Sequence, residues 1–191
     1  MRTNAQPRPQ ELPPFPAGWF RLCKSSDLRT GQVMSVRAFS RELVLFRTKE
    51  GHPALLDAFC PHLGANLSVG GRVVDGNIRC PFHGWQFNAE GKCVHVPYTD
   101  VLPANSDITH FNVDEINGQI FAWHHVSGEE PQWRLPQLPE IHQLGFKTRG
   151  WSTHEISCHI QEIPEYGADT AHLDGLHKPF LVGCLQVTCD V

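Results

Sequence analysis

Four residues in two short loops carry the first recognisable chemistry of this sequence: Cys60, His62, Cys80 and His83, spaced Cys-x-His-x17-Cys-x2-His. Each loop offers one thiol and one imidazole. A zinc finger groups its donors differently, with two thiolates on one arm and two imidazoles on the other. The interleaved order fits a [2Fe–2S] centre in which the thiolates hold one iron and the imidazoles hold the other. Two neutral imidazoles in place of thiolates remove negative charge, so reduction becomes easier. The potential then rises from about −400 mV toward roughly −150 to +300 mV. Pro61 and Pro81 stiffen the loops, Gly64 and Gly84 let backbone approach a bound group closely, and Trp85 is placed to keep water away. A structural zinc site is the alternative these four residues leave open.

A second group lies in "EIPEYGADTAHLDGLH", which holds Glu165, Asp169, His172 and His177. Asp169 and His172 are three apart, the spacing of neighbours on a helix face. His172 and His177 are five apart, about 140° around an ideal helix. Sharing one metal therefore needs a break between them, which Gly175 permits. Two histidines and a carboxylate form the facial triad of non-haem Fe(II) oxygenases, with positions left open for water, O2 and substrate. An amphipathic helix with surface histidines is the other reading of this stretch.

The elements that must position these groups are mostly strands. "GWFRLC", "QVMSVRAF", "ELVLFRT" and "PALLDAF" are short runs rich in β-branched and aromatic residues. Hairpin turns are expected at Asp75-Gly76, around Gly91 in "FNAEGKCVHV", and at Asn117-Gly118, where Asn-Gly supplies positive φ. Hairpins of this length predict a small antiparallel β-sandwich or barrel. Trp19, Trp123 and Trp151 fall in strand-like runs and are expected in cores. Residues 127–140, "SGEEPQWRLPQLPE", break the pattern with three prolines and read as a linker. After "STHEISCHIQ", Pro164 and Glu165 suit the first turn of a helix, and Pro179 limits its length.

Composition narrows the class. The chain has 191 residues, 40% hydrophobic and 19% charged, with a formal charge of −4. That balance gives no basic footprint for nucleic acid. Twelve histidines are many, and histidine is the commonest metal ligand. The seven cysteines show no secreted disulfide framework; Cys23, Cys93, Cys158, Cys184 and Cys189 read as core or surface thiols, and His124-His125 as a hairpin end. Residues 1–16, "MRTNAQPRPQELPPFP", form a Pro-rich disordered lead-in, neither signal peptide nor membrane anchor. No transmembrane segment is expected, and the free thiols suit a cytoplasmic location or the cytosolic face of a membrane.

"CPHLG" and "CPFHGW" resemble the two boxes of Rieske domains, a likeness covering residues 17–126. The later segment resembles the Asp-x-x-His-x-x-x-x-His iron motif of Rieske oxygenases. Within that class, "FCPHLGANL", "GGRVVDGNIRCPFHGWQF" and "HIQEIPEYGADTAHLDGLH" look most like the cholesterol 7-desaturases of the Neverland type, with bacterial 3-ketosteroid hydroxylases as more distant relatives.

The resemblance implies a mainly β chain: a Rieske domain over 17–126, a linker over 127–140, and the beginning of an α+β helix-grip catalytic domain over 141–191. It implies that His172 and His177 bind a mononuclear Fe(II), and that Asp169 bridges an iron histidine to a cluster histidine of a neighbouring subunit in a homotrimer. It implies a sterol substrate, O2, and electrons from NAD(P)H through a separate reductase. The reaction would be removal of two hydrogens from cholesterol to give 7-dehydrocholesterol.

Two departures stand out. Tyr166 occupies a position where relatives usually have Asn, and the family's third iron ligand, a carboxylate further along, is unmatched. Asp174 is not in that position, and Asp190 is the only acidic residue after His177. The expectation is a partial or alternatively spliced product with a complete Rieske domain. A Rieske ferredoxin-like electron carrier is the alternative function.

Overall fold

Among the described residues, eleven short strands account for most of the regular structure. The computed structural model describes residues 13–146, 154–169 and 171. Strands β2 (Val33–Ala38), β3 (Arg41–Arg47), β4 (Pro53–Asp57) and β9 (His110–Phe111) form one antiparallel sheet in the order β2-β3-β4-β9. A second sheet has the order β1-β11-β10, from β1 (Gly18–Lys24), β10 (Val113–Ile116) and β11 (Gln119–His124). The third, in the order β5-β6-β7-β8, uses β5 (Arg72–Val74), β6 (Asn77–Arg79), β7 (Gln86–Phe87) and β8 (Cys93–His95). The antiparallel β architecture expected from the hairpin spacing is what the chain adopts.

β3 shows why the sheets pack as they do. Leu43, Val44, Leu45 and Phe46 are all fully buried, so this strand is covered on both faces. Side chains alternate across a strand. Val44 and Phe46 therefore share a face, and they join Ala54 and Leu56 of β4 in a core with Ile78, Trp85, Phe87 and the two thiols Cys60 and Cys80. Burying one large aliphatic or aromatic side chain of this kind contributes about 1.5–3 kcal/mol. The metal-candidate loops are thus built into the main core.

Turn chemistry sets the registers. Asp75 and Gly76 have φ of 50° and 82°, and Asn117 and Gly118 have 53° and 73°. Each pair closes a two-residue hairpin, between Val74 and Asn77 and between Ile116 and Gln119. Two consecutive positive φ values match the right-handed twist of the strands they join. A third such hairpin has no turn signature at all: Phe39 and Ser40 take φ of 54° and 56° between Ala38 and Arg41. Phe39 is buried there, stacked on His124 at 4.7 Å and edge-on to Phe20 at 5.2 Å. Aromatic burial offsets a backbone conformation that side chains disfavour.

Arg47 ties β3 to two loops and to β10. Its Nη1 and Nη2 each donate to a Glu115 carboxylate oxygen at 2.7 Å. Its Nε donates to the Leu28 carbonyl at 2.8 Å, and further donors reach the carbonyls of Gly51 and Ser25. A buried guanidinium is tolerated when its donors are filled in this way.

The Pro-rich stretch after β11 is pinned along the β1-β11-β10 sheet. Trp19 Nε1 donates to the Trp133 carbonyl at 3.0 Å, and Trp123 Nε1 donates to the Glu129 carbonyl at 2.8 Å. The Asn117 amide donates to the Pro136 carbonyl and accepts from the Leu138 N–H, both at 2.9 Å. A short helix, α1 (Pro139–His142), follows. Residues Ala17–Thr148 form one compact unit; Met1–Pro16 with Arg149–Val191 form another. In the described part of the second unit, α2 (Glu162–Ala168) carries Pro164 in its first turn, as expected. Among the described residues, no helix is long and apolar enough to cross a membrane.

Candidate metal centre

The two donor loops close on the same pair of main-chain hydrogen bonds. In the first, Cys60 N–H donates to the Ala65 carbonyl at 2.9 Å and Gly64 N–H donates to the Cys60 carbonyl at 2.9 Å. In the second, Cys80 N–H donates to Trp85 at 2.8 Å and Gly84 N–H donates to Cys80 at 3.2 Å. Gly64 and Gly84 occupy equivalent corners with φ of 71° and 75°. Each loop reverses the chain within six residues and turns its cysteine inward.

The loops meet thiol to thiol and imidazole to imidazole. Cys60 and Cys80 are buried, and the Cys80 side chain lies within hydrogen-bonding reach of the Cys60 thiol. Burial pushes the Cys60 thiol up to about 11, and the neighbouring Cys80 adds to the rise; the His62 backbone N–H works against it. A buried thiol raised in this way gives up its proton only to a cation that repays the charge. The rings of His62 and His83 lie edge to face with centroids 4.7 Å apart. His62 is half-buried and His83 is exposed. His62 Nδ1 is buried without a hydrogen-bond partner among the described residues.

A buried ring nitrogen without a partner is costly, because it has lost its water and gained nothing. A bound metal ion resolves that cost at His62 Nδ1. Among the described residues, no three His, Cys, Asp or Glu side chains converge on one point. A closed zinc site needs four donors around a single ion. A [2Fe–2S] centre asks for two thiolates on one iron and two imidazoles on the other, which is the pairing found here. The donor set fits the cluster. Trp85, read from the sequence as a shield, is only 5% exposed and lies parallel to the His62 ring, with centroids 4.7 Å apart and planes 5° apart.

The second candidate site is described only in part. Asp169 lies just beyond α2, with ψ of 86°, rather than on the helix. Its N–H donates to the Glu165 carbonyl at 3.1 Å, and its Oδ1 accepts from the Ala171 N–H at 3.0 Å. Tyr166 is exposed on α2. His172, Asp174, Gly175, His177, Pro179, Cys184, Cys189 and Asp190 lie outside the described residues, as does Trp151.

Sequence reasoning missed two contributors to the first site. Tyr98 accepts a hydrogen bond from Trp85 Nε1 at 2.7 Å. Arg79 presses against Gly84, where an added Cβ would lie 3.1 Å from its Nε. Neither has a spacing signal, since both reach the loops through tertiary packing.

Comparison with known proteins agrees with this geometry. Residues 18–106 match the Rieske [2Fe-2S] domain, and residues 122–187 match the 3-ketosteroid 9alpha-hydroxylase C-terminal domain. Over both matched stretches the chain is similar to Rieske-type non-haem iron oxygenases. Among its relatives is the cholesterol 7-desaturase of Caenorhabditis elegans, 46% identical over 172 residues that cover 88% of this chain and 40% of the relative. Cholesterol 7-desaturase nvd 1 of Ciona intestinalis is 45% identical over 170 residues, covering 88% of this chain and 36% of that protein. The chain thus spans well under half the length of these relatives. A crystal structure of dicamba monooxygenase with non-heme iron and dicamba superposes with a TM-score of 0.55 at 30% identity, over 60% of this chain and 35% of that one.

Proposed function

We propose that this chain supplies the Rieske domain, and the beginning of the catalytic domain, of an oxygenase that acts on a sterol. The favoured reaction is cholesterol to 7-dehydrocholesterol, with O2 and electrons drawn from NAD(P)H by a separate reductase. The names of the relatives support the sterol, and the paired donor loops support the electron-transfer centre. The observation that carries the reading is the meeting of Cys60 with Cys80 and of His62 with His83, with His62 Nδ1 buried and unpartnered.

Cys60 and Cys80 would hold one iron of the cluster, and His62 and His83 the other. When bound, the cluster accepts and passes on one electron at a time. The chain's own residues hold this site dry and rigid: Trp85 covers one face of His62, and the Cys60 and Cys80 carbonyls fix the two loop corners. His83 keeps an exposed ring for the onward contact. His172 and His177 are assigned to the mononuclear iron, and Asp169 to the bridge between centres in a homotrimer, on the resemblance of their motif. Residues 17–126, 127–140 and 141–191 keep the roles of Rieske domain, linker and start of the catalytic domain. A location in the cytoplasm or on the cytosolic face of a membrane belongs to the same proposal.

Iron content tests the reading. After anaerobic reconstitution, three irons per chain indicate cluster plus mononuclear site. Two irons, with a cluster spectrum, favour an electron carrier, a reading supported by the complete first site. A colourless protein with one zinc refutes both.

A further inference from the structure

The two candidate ligand histidines are treated unequally by the fold. His83 is exposed, whereas His62 is half-buried and capped face-on by Trp85. A ring stacked at 4.7 Å with planes 5° apart does not turn freely about its Cβ–Cγ bond, because any large rotation drives it into the indole. Trp85 is itself fixed. Its main-chain carbonyl closes the second loop by accepting from Cys80, and its Nε1 donates to the Tyr98 hydroxyl at 2.7 Å. Tyr98 is 62% exposed and follows Val96, a fully buried core residue.

We infer that Trp85 and Tyr98 act as a pair of positioning residues that set the ring plane of His62 and keep water from its inner face. The inference rests on His62 being a cluster ligand. Neither residue is a ligand, and both act through the imidazole. The oxidised centre, with two ferric ions, two sulfides and two thiolates, carries no net charge at its neutral-imidazole state; the reduced centre carries −1. Water admitted beside His62 solvates the charged form better, so loss of the Trp85 wall raises the potential.

The test uses the full chain reconstituted anaerobically, read by redox titration and by EPR of the reduced state. Trp85→Leu is expected to favour reduction about tenfold, a rise of about 59 mV for one electron. Its EPR g-values are expected to spread differently as the imidazole gains freedom. Trp85→Phe keeps a ring against His62 and should restore most of both properties. Tyr98→Phe removes the partner of the indole N–H among the described residues and should shift the spectrum in the same direction, with a thermal-unfolding loss no larger than that of one part-buried hydrogen bond. Identical potential and spectrum in Trp85→Leu and Tyr98→Phe overturns the inference. Where Trp85→Leu retains no cluster, Tyr98→Phe decides alone, and a wild-type spectrum and potential overturns it. Absence of a cluster signal in the wild type refutes the metal-centre reading itself, a distinct failure.

Discussion

Gly64 and Gly84 do the same job in the two loops but stand in different surroundings, which makes them a calibrated pair. Both take φ near +70° and both donate to the cysteine carbonyl four residues back. Alanine in that left-handed conformation costs about 1–2 kcal/mol. Around Gly64 an added Cβ meets no described atom within 4 Å, so Gly64→Ala should cost only that amount. At Gly84 the same atom lies 3.0 Å from Pro97 Cγ and 3.1 Å from Arg79 Nε and Nη2. Arg79 can swing aside, but the proline ring is held by the chain. Overpacking of this kind adds about 1–3 kcal/mol. Gly84→Ala should therefore lose about 2–5 kcal/mol in urea unfolding, and Gly64→Ala about 1–2. Asparagine tolerates the left-handed region, so Gly64→Asn should recover part of the loss. Equal losses at the two sites would refute the close-approach argument. No loss at Gly64 would refute the backbone argument for both.

Four further outcomes are expected. Arg47→Met should destabilise by about 3–5 kcal/mol, because it removes the guanidinium that donates to Glu115 and to the Leu28 and Gly51 carbonyls; the Ser25 carbonyl keeps the Leu28 N–H. Urea unfolding checks it. Hydrogen bonding from Arg47 holds the Glu115 carboxyl below its usual range. Its contribution is therefore complete above the unfolded value of about 4.3 and is lost as pH falls through the lower folded value. Glu115→Gln should flatten the acid limb of a stability–pH curve. Asn117→Ala should cost about 2–4 kcal/mol by losing both links to residues 136–138 and by straining the turn, whereas Asn117→Gly should lose only the links. Thiol labelling of the native chain should reach Cys158 well before Cys60, Cys80 or Cys93, which are buried; mass spectrometry of early time points reads the order.

Much of the site was legible in the sequence because its signals are local. The donors sit within two hexapeptides whose proline and glycine positions fix the loop shape, and the Asp-Gly and Asn-Gly pairs declare their turns by residue type. The Phe39-Ser40 hairpin was not legible, since nothing local favours positive φ in a phenylalanine. Its stabilisation comes from Phe20, Phe111 and His124, all distant in sequence. The stretch 127–140 has the composition of a linker, yet Trp19, Asn117 and Trp123 hold it by hydrogen bonds that no periodicity announces. The end of α2 was similarly hidden. Asp169 has the spacing of a helical neighbour of His172, but its carboxylate accepts the Ala171 N–H, a local bond that competes with continuing the helix.

The unequal treatment of the two histidines follows from two differences between otherwise matched loops, the position of the histidine and the size of the sixth residue. Aligned on their shared hydrogen bonds, "CPHLGA" and "CPFHGW" place histidine third in one and fourth in the other. The third position turns inward beside the core in the first loop, and the sixth residue of the second loop, Trp85, lies across it. The corresponding sixth residue of the first loop is Ala65, too small to cover His83 in return. The offset gives one sheltered imidazole that is held in place and one exposed imidazole that another surface can touch. An electron carrier that must hand its charge to a partner while keeping water from the centre needs one of each.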